Sequence, residues 1–432
     1  MARSLCPRSL VAGVGVGLLV WGCSSKPGTV DGSAGTSPSS GGSRAGMGGA
    51  STDAGGAAGN QAGGGQSPAA AGLTGSAGAG GSPEAGTGGI GGSANGGAGQ
   101  GGAGGSDGAS TAFDGRCGQG WAAGGSAPLP KLQGSVTPQV DQAGNWSFSF
   151  GRYRLVVAAS AGARVIEFSI DGNNLIDPSG GSTFWPSPQQ AWMWPPPTEL
   201  DSGAYVAQSD ATSLSLTSGI ATTLKLRVRK RFSVNASSGV VSIEYQLVNE
   251  DTVSASWAPW EVTRVRAGGY TFAPLGPGNR TITEDSGQNP LPLSLLPPAP
   301  AENRIQWLNY PNLSSTLTQD NYLTEFDGAE GWLAHANKFG TSLLPVLFVK
   351  SFVDAPDASL PTNQAEIQLW TSGTANPKLI EVEEQGAQQM ISPGAALSWT
   401  VHWSACELPS SLMLSAGSVE LAALARAHAI KP

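Results

Sequence analysis

Histidine and cysteine are scarce in this chain, three and four among 432 residues. His335, His402 and His428 stand apart, and no Cys/His cluster has zinc spacing, so neither a metal motif nor a cofactor is expected. A nucleophile elbow, a phosphate-cradling glycine loop and a Ser/His/Asp arrangement are all missing. Basic charge is also in deficit: Lys and Arg number 23 against 31 Asp and Glu, a net charge of −8, which argues against nucleic acid or anionic lipid as partners. Beyond the first two dozen residues no apolar run is long enough to span a bilayer, so any attachment to a membrane is by lipid alone. Aromatic side chains are absent between Trp21 and Phe113.

That last gap defines the organisation of the chain. Arg3 and Arg8 precede an apolar run from Leu10 to Trp21, the pattern of a secretory signal peptide. The run ends Val20-Trp21-Gly22-Cys23, which resembles a bacterial lipobox and implies lipidation of Cys23. An ordinary cleaved signal followed by an unrelated cysteine is the competing reading. Ser24 in second position is similar to lipoproteins of the outer membrane. From Cys23 to Ala112 the chain is Gly, Ala and Ser with almost nothing to bury, and should stay disordered. Such a coil reaches on the order of 50 Å and reads as a tether. The expected segments are thus a signal at 1–22, a tether at 23–112, a folded domain at 113–408, and a tail with a short helix at 409–432.

The folded region holds twelve of the thirteen Trp and gives one short strand signal after another. Strands are expected over 146–150, 153–157, 164–170, 213–216, 223–232, 240–248, 341–349 and 366–371. Asp171-Gly172-Asn173-Asn174 reads as a hairpin turn. In 224–231, Leu224, Leu226 and Val228 point inward, with Lys225, Arg227, Arg229 and Arg231 outward. The stretch 379–403 reads as two strands about the Ser392-Pro393-Gly394 turn, hairpin-like, with Glu381 and Glu383 on one face. FWPSPQQAWMWPPP (184–197) reads as a rigid loop, because proline removes ladder donors. Ser418 caps a terminal helix on the outside. Cys117 and Cys406 bracket the domain and should pair in an oxidising compartment. The fold class is all-β, a large antiparallel sandwich.

The run Val382-Glu383-Glu384-Gln385, the Ser-Pro-Gly turn and the Trp-rich strand after it resemble the C-terminal end of aldose 1-epimerases, the galactose mutarotase-like sugar enzymes. That resemblance implies a β-supersandwich and places the catalytic base on Glu383. It broadens to residues 180–189 and 192–197, Ala258 to Arg264, Glu330 to Ala334, and Lys350, which look like a bacterial branch of the superfamily with no settled activity. The Asn-Arg-Gly-Arg and His-Ser-Tyr-Phe motifs of the epimerases are absent. Trp260 or a neighbour stands where the family's acid His would be.

The candidate site follows from these readings. Glu383 and His335, the latter as a substitute acid, are the candidate catalytic residues. Trp185, Trp192, Trp194, Trp260, Glu261, Arg264, Trp332 and Lys350 are the candidate ligand contacts. Each Trp is either a sugar platform or a core plug. Glu261 or Lys350 could supply an acid if burial shifted them, Arg264 and Lys350 could hold an anionic sugar, and Arg264 could instead pair with Glu261 or Glu383. His428 reads as solvated, and His402, which alternates away from Trp399 and Trp403, as a surface or partner-satisfied residue. The expected partner is a mono- or oligosaccharide, the expected state a monomer, and the location an outer membrane or cell surface. Three functions stay open: a carbohydrate-binding lipoprotein, an aldose epimerase with a non-standard acid, and a structural module of the envelope.

Overall fold

The computed structural model describes residues 114–118, 136–277, 281–282, 289–291, 296, 304–310, 322–339, 344–372 and 379–430. The readings for the signal, Cys23 and the tether lie outside those residues. Among the described residues the domain is two β-sheets, of 13 and nine strands. The larger runs Gln139–Val140, Asn145–Phe150, Tyr153–Ala158, Arg164–Ile170, Ser182–Ser187, Ala255–Val265, Ile380–Gln385, Ile367–Thr371, Tyr322–Phe326 and Thr281–Ile282, with three short strands off this path. The smaller runs Ile305–Asn309, Tyr270–Pro274, Trp332–Phe339, Leu344–Ser351, Ala396–Glu407, Val240–Asn249, Leu226–Asn235, Ser213–Ala221 and Val206–Ser209. Between these strands pairing is antiparallel except for a short parallel contact of Asn289–Pro290 with Tyr322–Phe326, and an isolated bridge of Arg116 to Glu407 is also parallel.

Period-two alternation explains why the sheets stack. Phe168 and Phe184 leave the larger sheet to meet Phe348, Trp403 and Tyr245 of the smaller, with Phe168 and Trp403 centroids 5.7 Å apart and Phe184 stacked on Tyr245 at 4.2 Å. Each such fully buried side chain contributes about 1.5–3 kcal/mol of apolar stabilisation. A second cluster lies on the far side of the smaller sheet, where Leu421, Ala422 and Ala425 of the helix Val419–His428 cover Leu347, Val349, Trp332 and Ala334. Ser418 caps that helix, its side chain accepting from the Leu421 amide. Cys117 and Cys406 form a disulfide with Cα atoms 5.0 Å apart.

Two readings of the sequence need correction. The strands Ile380–Gln385 and Ala396–Glu407 do not form a hairpin: the first pairs with Ala255–Val265 and Ile367–Thr371 in one sheet, the second with Val240–Asn249 and Leu344–Ser351 in the other. Alternation identifies a strand but not its partner. The Trp-Pro stretch is not all loop either, since Ser182–Ser187 is an interior strand in which Pro186 lies opposite Pro259. A residue's nitrogen and carbonyl oxygen point to the same edge of a strand, and here both prolines turn those groups away from each other. The Pro186 oxygen accepts from Trp192 Nε1 (2.7 Å) and the Pro259 oxygen from the Gly386 amide (2.9 Å), so neither missing donor interrupts the ladder between them. The alternation of the basic strand holds, and it turns one charge inward. Lys230 points between the sheets, its ammonium donating to the Gly162 (2.7 Å) and Ala163 (3.2 Å) carbonyls.

Candidate functional site

The register of the larger sheet lays out its outer face in rows, because residues directly opposite one another project to the same side. Trp185, Trp260 and Gln385 form one row. Thr183, Val262, Glu383, Gln368 and Glu325 form the next. Arg264, Glu381 and Trp370 form a third. An aromatic wall therefore stands beside a polar floor, and the alternation of 379–385 has put two carboxyl groups of one strand on that floor.

Four indoles make the wall. Trp185 packs edge-on against Trp260, Trp192 and Trp194, at centroid separations of 5.2, 6.0 and 5.9 Å. Trp185 and Trp260 are 4% and 6% exposed, whereas Trp192 and Trp194 are half-buried, so a ligand on this wall would meet the latter two first. The polar ends are fixed. Trp185 Nε1 donates to Asp201 (2.9 Å), which also accepts from Thr183 Oγ1 and Arg164 (both 3.2 Å). Trp260 Nε1 donates to Glu383 Oε2 at 2.8 Å.

Glu383 is buried. Desolvation first, then the charges of Glu381 and Glu325, push its carboxyl well above the usual range, against the Trp260 hydrogen bond and the Arg264 charge. Arg264 pairs with neither Glu261 nor Glu383 but with Glu381 (2.7 Å), and its guanidinium carbon sits 5.8 Å from the Trp185 ring centre. Gly180 makes room for that arginine, since a Cβ there would lie 1.8 Å from Arg264 Cδ.

Glu261 belongs to the opposite face of Ala255–Val265, and Lys350 to the strand Leu344–Ser351 of the smaller sheet. Between the sheets, Lys350 Nζ lies 2.9 Å from Glu261 Oε1, 2.7 Å from Glu384 Oε2 and 2.7 Å from Thr263 Oγ1. Trp403 Nε1 also donates to Glu261 Oε1 (3.0 Å). The Glu384 contact is an ion pair without hydrogen-bond alignment. Burial pushes Glu384 well above the carboxylate range, with the Lys350 charge opposing and the Glu261 charge adding. Neither Lys350 nor Glu261 reaches the aromatic wall, so the two sit in the core rather than among the ligand contacts. The anionic-sugar role considered for Lys350 has no access here.

His335 also lies between the sheets. Its Nδ1 is 3.0 Å from Thr271 Oγ1, and burial pushes its pKa down to about 3. Trp332 is on the far side of the smaller sheet, against Phe272 and beneath Arg426. His402 and Ser242 pair on that sheet at 2.9 Å. His428 is not solvated as expected but 1% exposed. Thus among the described residues no imidazole shares the face of Glu383.

No family model and no curated protein matches this chain. Solved structures do. A galactose mutarotase-like protein from Lactobacillus casei ATCC 334 aligns over 61% of this chain and 100% of its own, at 13% identity and a TM-score of 0.42. A galactose mutarotase related enzyme from Lactobacillus acidophilus covers 62% and 100%, at 8% identity and 0.43. A galactose mutarotase-like protein from Clostridium acetobutylicum covers 63% and 98%, at 9% identity and 0.41.

The fold brings together Trp185, Trp192, Trp194, Trp260, Arg264 and Glu383, and leaves out Glu261, Lys350, His335 and Trp332. It adds Asp201, Gln368, Glu325 and Glu381, which single-strand reading passes over. The signal for Gln368 was present in the alternation of Gln368 and Trp370 within Ile367–Thr371. Asp201 carried none, since it follows the prolines on a one-turn helix, Thr198–Asp201.

Proposed function

We propose that this chain is a lipid-anchored envelope protein whose domain binds carbohydrate on the outer face of the larger sheet. One observation carries the reading: four Trp converge beside a row of hydrogen-bonding side chains centred on Glu383. The apolar face of a pyranose stacks on indole with large contact area and little entropy cost, and its hydroxyls need fixed polar partners at the edge. Trp192 and Trp194 supply the accessible surface, and Gln368, Glu383 and Glu325 the edge. Anchorage rests on the Val20-Trp21-Gly22-Cys23 sequence, with outer membrane or cell surface as the location and no nucleic-acid partner.

A second reading is an aldose epimerase with Glu383 as base. It is favoured by the raised pKa of that carboxyl, which makes its ionised form a stronger base than an ordinary glutamate. Against it stands the lack of an imidazole on that face, and general acid catalysis contributes about 10²–10⁴-fold.

NMR of the protein with single-anomer aldoses separates the readings. Line-broadening without faster anomer exchange, lost in Trp192→Ala, supports binding alone. Accelerated exchange that disappears in Glu383→Gln makes the protein an epimerase. No response to any saccharide overturns both, and leaves a structural module of the envelope.

A further inference from the structure

Cys117, Cys406 and His428 come from the two ends of the described chain and meet beside the smaller sheet. Besides the disulfide, His428 Nε2 lies 3.4 Å from Cys406 Sγ, and one ligand atom from each residue falls within 4.8 Å of the others. All three residues are buried. Each is held by a separate device. The Cys117 amide donates to the Glu407 carbonyl at 2.9 Å. Cys406 is inside the strand Ala396–Glu407, paired with Leu347. His428 closes the terminal helix, and its carbonyl accepts from Ser404 Oγ at 3.2 Å. The disulfide alone requires no imidazole. One placed against its sulfur completes a two-sulfur, one-nitrogen donor set.

We propose that this cluster is a redox-gated metal site, closed as a disulfide and able to hold Zn²⁺ once reduced. The reductant is a dithiol. Its thiolate attacks one sulfur of the Cys117–Cys406 bond to form a mixed disulfide, and its second thiol resolves that bond. The dithiol leaves oxidised to its own disulfide, its two electrons and two protons now on the Cys117 and Cys406 thiols. Zn²⁺ then displaces both thiol protons, forms two Zn–S bonds, and accepts the lone pair of His428 Nε2. Zinc is the fitting ion because two thiolates neutralise its charge, and a net charge among Leu347, Leu408 and Leu421 would be costly. Three protein donors are the number found in sites that keep one position open.

The test uses the full chain, reduced with dithiothreitol under nitrogen, freed of reductant and titrated with Zn²⁺. Expected are one zinc per chain, release of two protons, and no binding by the oxidised protein. Near-UV circular dichroism should show the same fold in the reduced and zinc-loaded states. His428→Ala keeps both cysteines and should weaken zinc by at least about tenfold, since even partners of metal ligands are worth 10–100-fold. Unchanged affinity in that variant, loss of the fold on reduction, or binding of Cu⁺ but not Zn²⁺ would each overturn the assignment.

Discussion

Glu383 and Glu384 are adjacent in the chain and face opposite sides of the larger sheet. One accepts the Trp260 indole on the outer face, while the other meets Lys350 between the sheets. The two carboxyls are raised for the same first reason, burial, but in different company: Glu381 and Glu325 for one, Lys350 and Glu261 for the other. A substitution at either position therefore tests a different layer of the protein.

At the inner layer, Lys350→Met leaves Glu261 and Glu384 without their cation and should cost about 3–5 kcal/mol of stability, read from the denaturant midpoint. Glu384→Gln should cost much less. Because the folded pKa of Glu384 is raised, its contribution is complete below the ordinary Glu pKa and is lost as pH rises through the folded value. The Gln variant should therefore lose less stability than the parent on the alkaline side. A Lys350→Met protein as stable as the parent would remove the triad from any account of the core.

On the outer layer, Glu383→Gln keeps an oxygen that can accept from Trp260 and should leave the melting temperature close to that of the parent. It removes the base, so any anomer exchange by the parent should vanish while saccharide broadening persists. Exchange at an unchanged rate in this variant would move catalysis elsewhere.

The four indoles should separate by burial. Trp185→Ala opens a cavity beside Trp260 and should destabilise by about 3–5 kcal/mol. Trp192→Ala, on a half-buried ring, should cost far less stability and weaken saccharide binding by about 0.5–1.5 kcal/mol. Thermal melts and saccharide titrations of both variants check this, and equal effects of the two would contradict the proposed order of access.

His335 gives a pH signature. Its folded pKa is depressed from 6.5 to about 3, so the folded state resists a proton that the unfolded state accepts. Stability should fall as pH drops from about 6.5 towards 3, and His335→Phe should flatten part of that slope in acid denaturation. An unchanged slope would place the acid sensitivity in other groups.

Much of the fold was legible in single strands. Arg164–Ile170 and Val240–Asn249 announce themselves by alternation, and the Asp171-Gly172 turn by residues that tolerate positive φ, observed at 48° and 75°. Partnership was not legible. Nothing in Leu379 to Trp403 says that its two strands enter different sheets, since that depends on partner segments elsewhere in the chain. Glu383 and the Trp cluster were readable because chemistry and alternation pointed the same way. Glu261 was misread because it sits one residue off the face that matters, a distinction only register supplies, and Lys350 because its strand belongs to the other sheet. The Trp-Pro strand was missed because a proline's effect depends on which neighbour its nitrogen faces.

The bond between Cys117 and Cys406 also decides how this domain carries mechanical load. Tension entering ahead of Asp114 and leaving beyond Glu407 passes from Cys117 directly to Cys406, 289 positions further on, and bypasses the chain between them. The sandwich hangs beside that path rather than in it, so a pull on the two chain ends would leave the Trp face and its rows of side chains unstretched.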